Sequence, residues 1–205
     1  MIEDKSGRGG RGHAAFRSDP TLQIIIQGRG GQGAQLAGSL LAMAFFAEGL
    51  EVQSFATYGG ARRGTPVSSF IRVDDRPIRV RCDIERADAL LVFDASLLEG
   101  RLLAAADHRT LIVVNSRRTA AQFAADLPGY RVLPVDGIGV SQANGLGRIV
   151  NSALLGAFIR AIEAPSLETL SRIVGEETPK KERENVAACI EGYRRIEAQL
   201  RKVAA

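Results

Sequence analysis

The residues whose types and spacing could do chemistry lie close together in Gln27-Gly28-Arg29-Gly30-Gly31-Gln32-Gly33. Four glycines within six residues remove the Cβ atoms that would hold a ligand or a neighbouring backbone away from main-chain N–H groups. An apolar run, Leu22 to Ile26, enters the stretch and a helical pattern beginning at Ala34 leaves it. A turn at the start of a helix faces its contents with a partial positive charge, so it suits a phosphate or a carboxylate. Gly28, Gly30 and Gly33 also keep the G-x-G-x-x-G spacing of dinucleotide-binding domains, which gains meaning in a strand-to-helix context such as this one. The competing reading is a close-packed turn that binds nothing.

A second cluster is Tyr58-Gly59-Gly60-Ala61-Arg62-Arg63-Gly64-Thr65-Pro66. Glycine lets backbone approach a ligand or partner, and Arg62 and Arg63 offer planar forks for carboxylate or phosphate. Arginines that simply face solvent are the plain alternative. Asp94 and Asn115 each follow a short apolar run, Ala89 to Phe93 and Leu111 to Val114. At the carboxyl ends of parallel strands such residues either line a ligand crevice or cap the next helix.

Stepping outward, these positions need an alternating α/β frame. Ala37, Leu40, Leu41, Ala44 and Phe45 define an apolar helical face after Ala34, and Gly49 stops that helix. Val52 to Ala56 reads as a second strand. Val67 to Val73 and Ile78 to Arg81 read as a hairpin turned at Asp74-Asp75-Arg76-Pro77, with Arg72, Arg79 and Arg81 along one exposed face. Val132 to Val135 adds a strand. Asn151 is expected to cap a helix running to Ile162 before Pro165, and helical patterns over Leu167–Val174 and Glu182–Lys202 close the chain. The expected fold is a three-layer α/β/α domain with a partly parallel, mixed sheet, an attached hairpin and a Rossmann-like first β-α-β unit. Residues 1–20, with Gly7-Arg8-Gly9-Gly10-Arg11-Gly12, lack apolar periodicity and read as an arm; residues 21–205 read as one domain.

The totals exclude several classes. With 205 residues, 45% apolar and 24% charged, the chain fits a globular domain, and no apolar run approaches the ~18 residues of a membrane span. Net charge is only +4, and neither it nor the arm, which lacks interleaved aromatics, argues for nucleic acid. Cys82 and Cys189 are isolated, with no iron–sulfur or zinc spacing, so no metal site is expected. Two cysteines and an N-terminus without an apolar core segment point to the cytoplasm. A nicotinamide- or flavin-binding module would place an acid at the end of the second strand to hold the ribose; Ala56 and Thr57 stand there instead. A free-standing NAD- or flavin-dependent dehydrogenase is therefore the weaker alternative.

Taken together, Gly28 to Ala34, Tyr58 to Pro66, the segment Arg72 to Arg81 and Asn151-Ser152-Ala153-Leu154-Leu155-Gly156-Ala157 resemble, in order and spacing, the gamma subunit of 2-oxoacid:acceptor oxidoreductases. That family includes the pyruvate:ferredoxin, 2-oxoisovalerate and phenylglyoxylate enzymes. The resemblance covers about Leu22 to Tyr193. It implies a chain with no catalytic residue of its own, working in a complex that converts a 2-oxoacid and coenzyme A to acyl-CoA and CO2. Alpha-, beta- and delta-type subunits would carry thiamine diphosphate, Mg2+ and iron–sulfur clusters. Ferredoxin or an NAD-reducing flavin subunit would accept the electrons. It further implies that Gly28, Arg29, Gly30, Gly31, Gln32 and Gly33 meet the phosphates of coenzyme A at an interface. Tyr58, Arg62, Arg63, Gly64 and Thr65 would then form a substrate or interface loop.

Overall fold

A computed structural model describes residues 21–60, 64–178 and 180–204. Its centre is one six-stranded mixed sheet in the order β2-β3-β1-β4-β5-β6. The strands are β1 (Leu22–Arg29), β2 (Glu51–Tyr58), β3 (Pro66–Asp74), β4 (Ala89–Val92), β5 (Leu111–Asn115) and β6 (Arg131–Val135). β1, β4, β5 and β6 run parallel, and their continuous apolar sequences are those of strands covered on both faces. β3 is antiparallel to both β1 and β2.

Alternation along β1 separates two cores. Leu22, Ile24 and Ile26 pack with α1 (Ala34–Ala47), α5 (Asn151–Ile162), α6 (Leu167–Glu177) and α7 (Glu182–Ala204). Ile25 points the other way, into a core closed by Leu97 and Leu98, by Leu102 of α2 (Gly100–Ala104) and by Phe123 of α3 (Ala120–Asp126). A short helix, α4 (Gly137–Ala143), follows β6. The three-layer α/β frame expected from the sequence is present.

Three local expectations are corrected. Ile78 to Arg81 is not a strand, because β3 already spends both of its edges on β1 and β2. The hairpin in this region is β2–β3. Arg72 does not lie on an exposed face: it is 3% exposed, in one cross-strand row with Gln23 and Gln53. Its guanidinium donates to Gln53 Oε1 at 2.9 Å, Gln23 Oε1 at 3.3 Å and the Asp83 carbonyl at 3.2 Å, so neutral acceptors replace the water lost on burial. Asn151 does not cap α5; Val150 takes that position and Asn151 is the first helical residue.

The closest helix contact is between α5 and α7. A Cβ on Gly156 would lie 1.8 Å from the Cys189 carbonyl oxygen, and one on Gly192 would lie 1.9 Å from that of Ala153. Only glycine permits the two backbones to approach this closely. Cys189 is fully buried at this crossing and burial pushes its thiol pKa up to about 12, whereas Cys82 is exposed.

Candidate functional site

The site forms where the direction of winding changes. β1 sends its chain to α1 on one face of the sheet, whereas β4, its parallel neighbour, sends its chain to Ala95–Leu97 and α2 on the other. Connections diverging from adjacent parallel strands leave a crevice at the strands' carboxyl ends. Gly28–Gly33 lies on one side of that crevice and Asp94 on the other.

Pairing of β1 with β3 brings the second loop to the same place. Gly28 faces Val67 and Arg29 faces Pro66, so the loop preceding β3 meets the loop following β1. The Gly30 N–H donates to the Thr65 carbonyl at 2.9 Å, and the Arg29 guanidinium reaches the Gly64 carbonyl at 3.3 Å. Thr65 Oγ donates to the Gly60 carbonyl at 3.2 Å, and the Tyr58 hydroxyl donates to Gln35 Oε1 at 2.6 Å. Tyr58 is 58% exposed. Arg62 and Arg63 lie outside the described residues, as does the arm, residues 1–20.

The glycines differ in what they do. A Cβ on Gly28 would press within 3.0 Å of Ala34 Cβ and 3.1 Å of Phe93 Cβ, so Gly28 permits packing beneath the loop. Gly33 is left-handed (φ 88°), and a Cβ there would sit 2.4 Å from Asn151 Nδ2. Asn151 instead donates from Nδ2 to the Gly33 carbonyl at 3.3 Å, tying the start of α5 to the start of α1. Gly31 is also left-handed (φ 93°), yet a Cβ there would meet nothing within 4 Å. Gln32 closes the turn, its N–H donating to the Arg29 carbonyl at 2.9 Å and its Oε1 accepting from the Arg29 N–H at 2.7 Å. α1 then begins without a side-chain cap among the described residues and with no acid in its first turn. Its first N–H groups have no intrahelical partner and its dipole faces the turn.

Arg29 is held by the protein. Its Nε donates to Asp94 at 2.8 Å and its second terminal nitrogen to Ser96 Oγ at 2.7 Å. Asp94 in turn accepts from the Ser96 N–H at 3.0 Å and hydroxyl at 2.7 Å, capping the short turn that follows. Burial pushes the Asp94 carboxyl up, but the two Ser96 bonds and Arg29 outweigh it and hold its pKa below the usual carboxylate value. Asn115 joins the ends of two strands, donating to the Phe93 carbonyl at 3.1 Å and accepting from the Gly137 N–H at 3.0 Å. Thr119, not Asn115, caps the next helix. Among the described residues, no group of three or more His, Cys, Asp or Glu could hold a metal ion. A loop of this build offers main-chain N–H groups and a helix N-terminus to an anion, beside an arginine that Asp94 and Ser96 already hold.

Sequence reasoning missed the roles of Ser96 and Gln35 and the true role of Asn151. Asn151 and Gly33 stand 118 residues apart, so no local pattern announces their contact. Ser96, two residues beyond Asp94, carried a signal in the Asp-x-Ser spacing of a side chain that accepts from the backbone two residues on.

Comparison with known proteins gives one consistent picture. Residues 23–195 match the family described as pyruvate ferredoxin/flavodoxin oxidoreductase. The pyruvate/ketoisovalerate oxidoreductases common subunit gamma of Thermococcus kodakarensis is 38% identical over 160 residues, covering 76% of this chain and 85% of that protein. Among solved structures, pyruvate oxidoreductase subunit PORC of Thermotoga maritima superposes with a TM-score of 0.74 at 27% identity, covering 86% of this chain and 97% of that one. A similar fold makes up 32% of a chain of the 2-oxoglutarate:ferredoxin oxidoreductase of Magnetococcus marinus, with 88% of this chain covered, a TM-score of 0.71 and 21% identity.

Proposed function

Since the chain belongs to the pyruvate ferredoxin/flavodoxin oxidoreductase family, as a gamma-type subunit of a 2-oxoacid oxidoreductase complex, we propose that its Gly28–Gly33 loop receives the phosphate groups of coenzyme A. In this reading the complex joins coenzyme A to the acyl group left after a 2-oxoacid loses CO2. The two electrons released go to ferredoxin or to an NAD-reducing flavin subunit. Thiamine diphosphate, Mg2+ and iron–sulfur clusters belong to alpha-, beta- and delta-type partner chains, where they supply decarboxylation and electron transfer. This chain orients the thiol-bearing substrate and contributes no catalytic residue. We place the complex in the cytoplasm; no described helix is long and apolar enough to cross a membrane.

The single observation carrying the proposal is Gly31, a left-handed residue with open space where a Cβ would be, beside an uncapped helix start. The same open, left-handed geometry occurs at Gly49 and Gly129 in ordinary turns, so what distinguishes Gly31 is its place beside the uncapped start of α1, between Gly28 and Gly33, which make room for protein atoms. Arg29 acts indirectly, since Asp94, Ser96 and Gly64 fix it across the crevice. Tyr58, Gly64 and Thr65 form the rim that a substrate or partner would meet; Arg62 and Arg63 belong to the same loop in sequence and lie outside the described residues. The nicotinamide or flavin alternative loses further support from the topology, because β3 stands between β1 and β2, so these are not the adjacent parallel pair of a dinucleotide-binding unit.

The test compares Gly31→Val with Gly31→Asn in the assembled complex. Asparagine tolerates a left-handed backbone far better than a β-branched residue does, so it obstructs the approach with little strain. Both variants should raise the coenzyme A concentration needed for half-maximal 2-oxoacid oxidation by about tenfold, corresponding to roughly 1.4 kcal/mol. A stoichiometric Gly31→Asn complex with wild-type coenzyme A dependence removes this loop from the coenzyme site.

A further inference from the structure

Between Gln27 and Gly33 the only charged residue is Arg29, and its charge is already matched within the chain. Its Nε lies 2.8 Å from Asp94 Oδ2, and its Nη2 donates to Ser96 Oγ at 2.7 Å. The Ser96 hydroxyl donates in turn to Asp94 Oδ1 at 2.7 Å, so three side chains close a ring across the crevice. Burial opposes ionisation of Asp94, but the Ser96 and Arg29 bonds win, and the carboxyl is charged at neutral pH. The pair therefore has no net charge. Both side chains keep contact with solvent, Arg29 at 39% exposure and Asp94 at 28%, so the pair is within reach of dissolved ions.

The loops have other ties. Gln32 closes the turn that begins at Arg29, through its N–H to the Arg29 carbonyl and its Oε1 from the Arg29 N–H. The neighbouring loop is fixed by the Gly30 N–H to the Thr65 carbonyl at 2.9 Å and by the Gly59 N–H to the Pro66 carbonyl at 2.8 Å. The bond from Arg29 to the Gly64 carbonyl, at 3.3 Å, is the longest that this guanidinium makes. The turn after β4 is capped through Asp94 Oδ1, which leaves Oδ2 to Arg29. What the second carboxylate oxygen supplies is electrostatic. A guanidinium on an anion-receiving loop adds a charge-assisted bond to a phosphate, and here an acid of the same chain occupies it.

We infer that Asp94 limits the affinity of the glycine loop for the phosphates of coenzyme A by neutralising Arg29, so that main-chain donors and the helix start act without the help of its charge. The inference rests on the coenzyme reading of the loop and adds the residue that sets how tightly the loop holds. Acyl-CoA carries the same phosphates as coenzyme A. A stronger grip on them would hold substrate and product alike and give no advantage to the reaction between them. The crevice is neutral with both charges, positive with Arg29 alone, negative with Asp94 alone and neutral again with neither.

The test measures the coenzyme A dependence of 2-oxoacid oxidation in assembled complexes carrying Asp94→Asn, Arg29→Gln or both. Asparagine keeps an oxygen for the Ser96 cap and presents an amide donor to Arg29, so it should sever the pair and spare the turn. A unit charge at this range, acting through partly solvated surroundings, changes the affinity for a phosphate by about fivefold. Asp94→Asn should therefore lower the half-saturating concentration about fivefold and Arg29→Gln raise it about fivefold, while the double variant returns to the wild-type value. Higher ionic strength should shrink both single effects. Asp94→Ser, a second uncharged cap with the same expected effect, stands in if the asparagine complex does not assemble. Were Asp94 only positioning Arg29, all three variants would need more coenzyme A and the double would not recover; that pattern overturns the inference. An unchanged requirement in Asp94→Asn overturns it as well. The two readings fail separately. If Gly31→Asn raises the requirement and Asp94→Asn does not lower it, only the charge-matching role is lost; if neither substitution has an effect, the loop leaves the coenzyme site and the inference falls with it.

Discussion

Replacing Gly33 by alanine tests how the glycine loop is held. Two separate penalties meet at this residue. The backbone is left-handed at φ 88°, which costs an alanine about 1–2 kcal/mol. The new Cβ would lie 2.4 Å from Asn151 Nδ2 and 2.7 Å from its Oδ1, an overlap that forces Asn151 or α5 to move and costs about 1–3 kcal/mol more. Gly33→Ala should therefore lower stability by about 2–5 kcal/mol. Asn151→Ala alone removes one hydrogen bond to the Gly33 carbonyl and should cost about 1 kcal/mol. Combined, the two substitutions should cost about 1–3 kcal/mol less than their sum, because only the overlap is relieved and the backbone penalty persists. Urea unfolding of the four chains, monitored by circular dichroism, measures the cycle. Costs that add to within about 0.5 kcal/mol would refute the claim that Gly33 is reserved for Asn151.

Two other outcomes follow from the geometry. The folded-state pKa of Asp94 is depressed, so its contribution is complete above the unfolded value of about 3.9 and is lost as pH falls through the folded value. Thermal melts should show Asp94→Asn below wild type at pH 7, with the gap closing under acid; a gap that persists at about pH 2 would contradict this assignment. Gly156→Ala drives a methyl group to 1.8 Å from the Cys189 carbonyl, so α5 and α7 must separate, at a cost of about 3 kcal/mol or more in denaturant unfolding. An unchanged unfolding midpoint would show that the crossing is looser than described.

The parts of the fold legible in the sequence were those with a local signature. Leu22 to Ile26, Ala89 to Phe93 and Leu111 to Val114 read as buried strands because both faces are apolar, and α1 read as a helix from the spacing of Ala37, Leu40, Leu41 and Ala44. The insertion of β3 between β1 and β2 was not legible, because pairing partners leave no mark within either strand. Ile78 to Arg81 has the alternation of a strand but no open edge to join. Arg72 shows the same limit at the level of one side chain, since an arginine in a strand reads as exposed until Gln23 and Gln53 flank it. At the site, glycine spacing located the turn but could not separate Gly28 and Gly33, which make room for protein atoms, from Gly31, which does not.

The position of β1 also sets a timetable for synthesis. β1 and α1 emerge first, yet the antiparallel neighbour that must cover one edge of β1 arrives roughly fifty residues later, since Leu22 pairs with Val73, and the parallel neighbour β4 later still. At about 5–20 residues per second, the nascent chain waits about 2–10 s with a run of isoleucines unpaired and an uncharged helix beside it. The run Leu22–Ile26 and α1 carry no charge to keep them from the same segments on an adjacent ribosome.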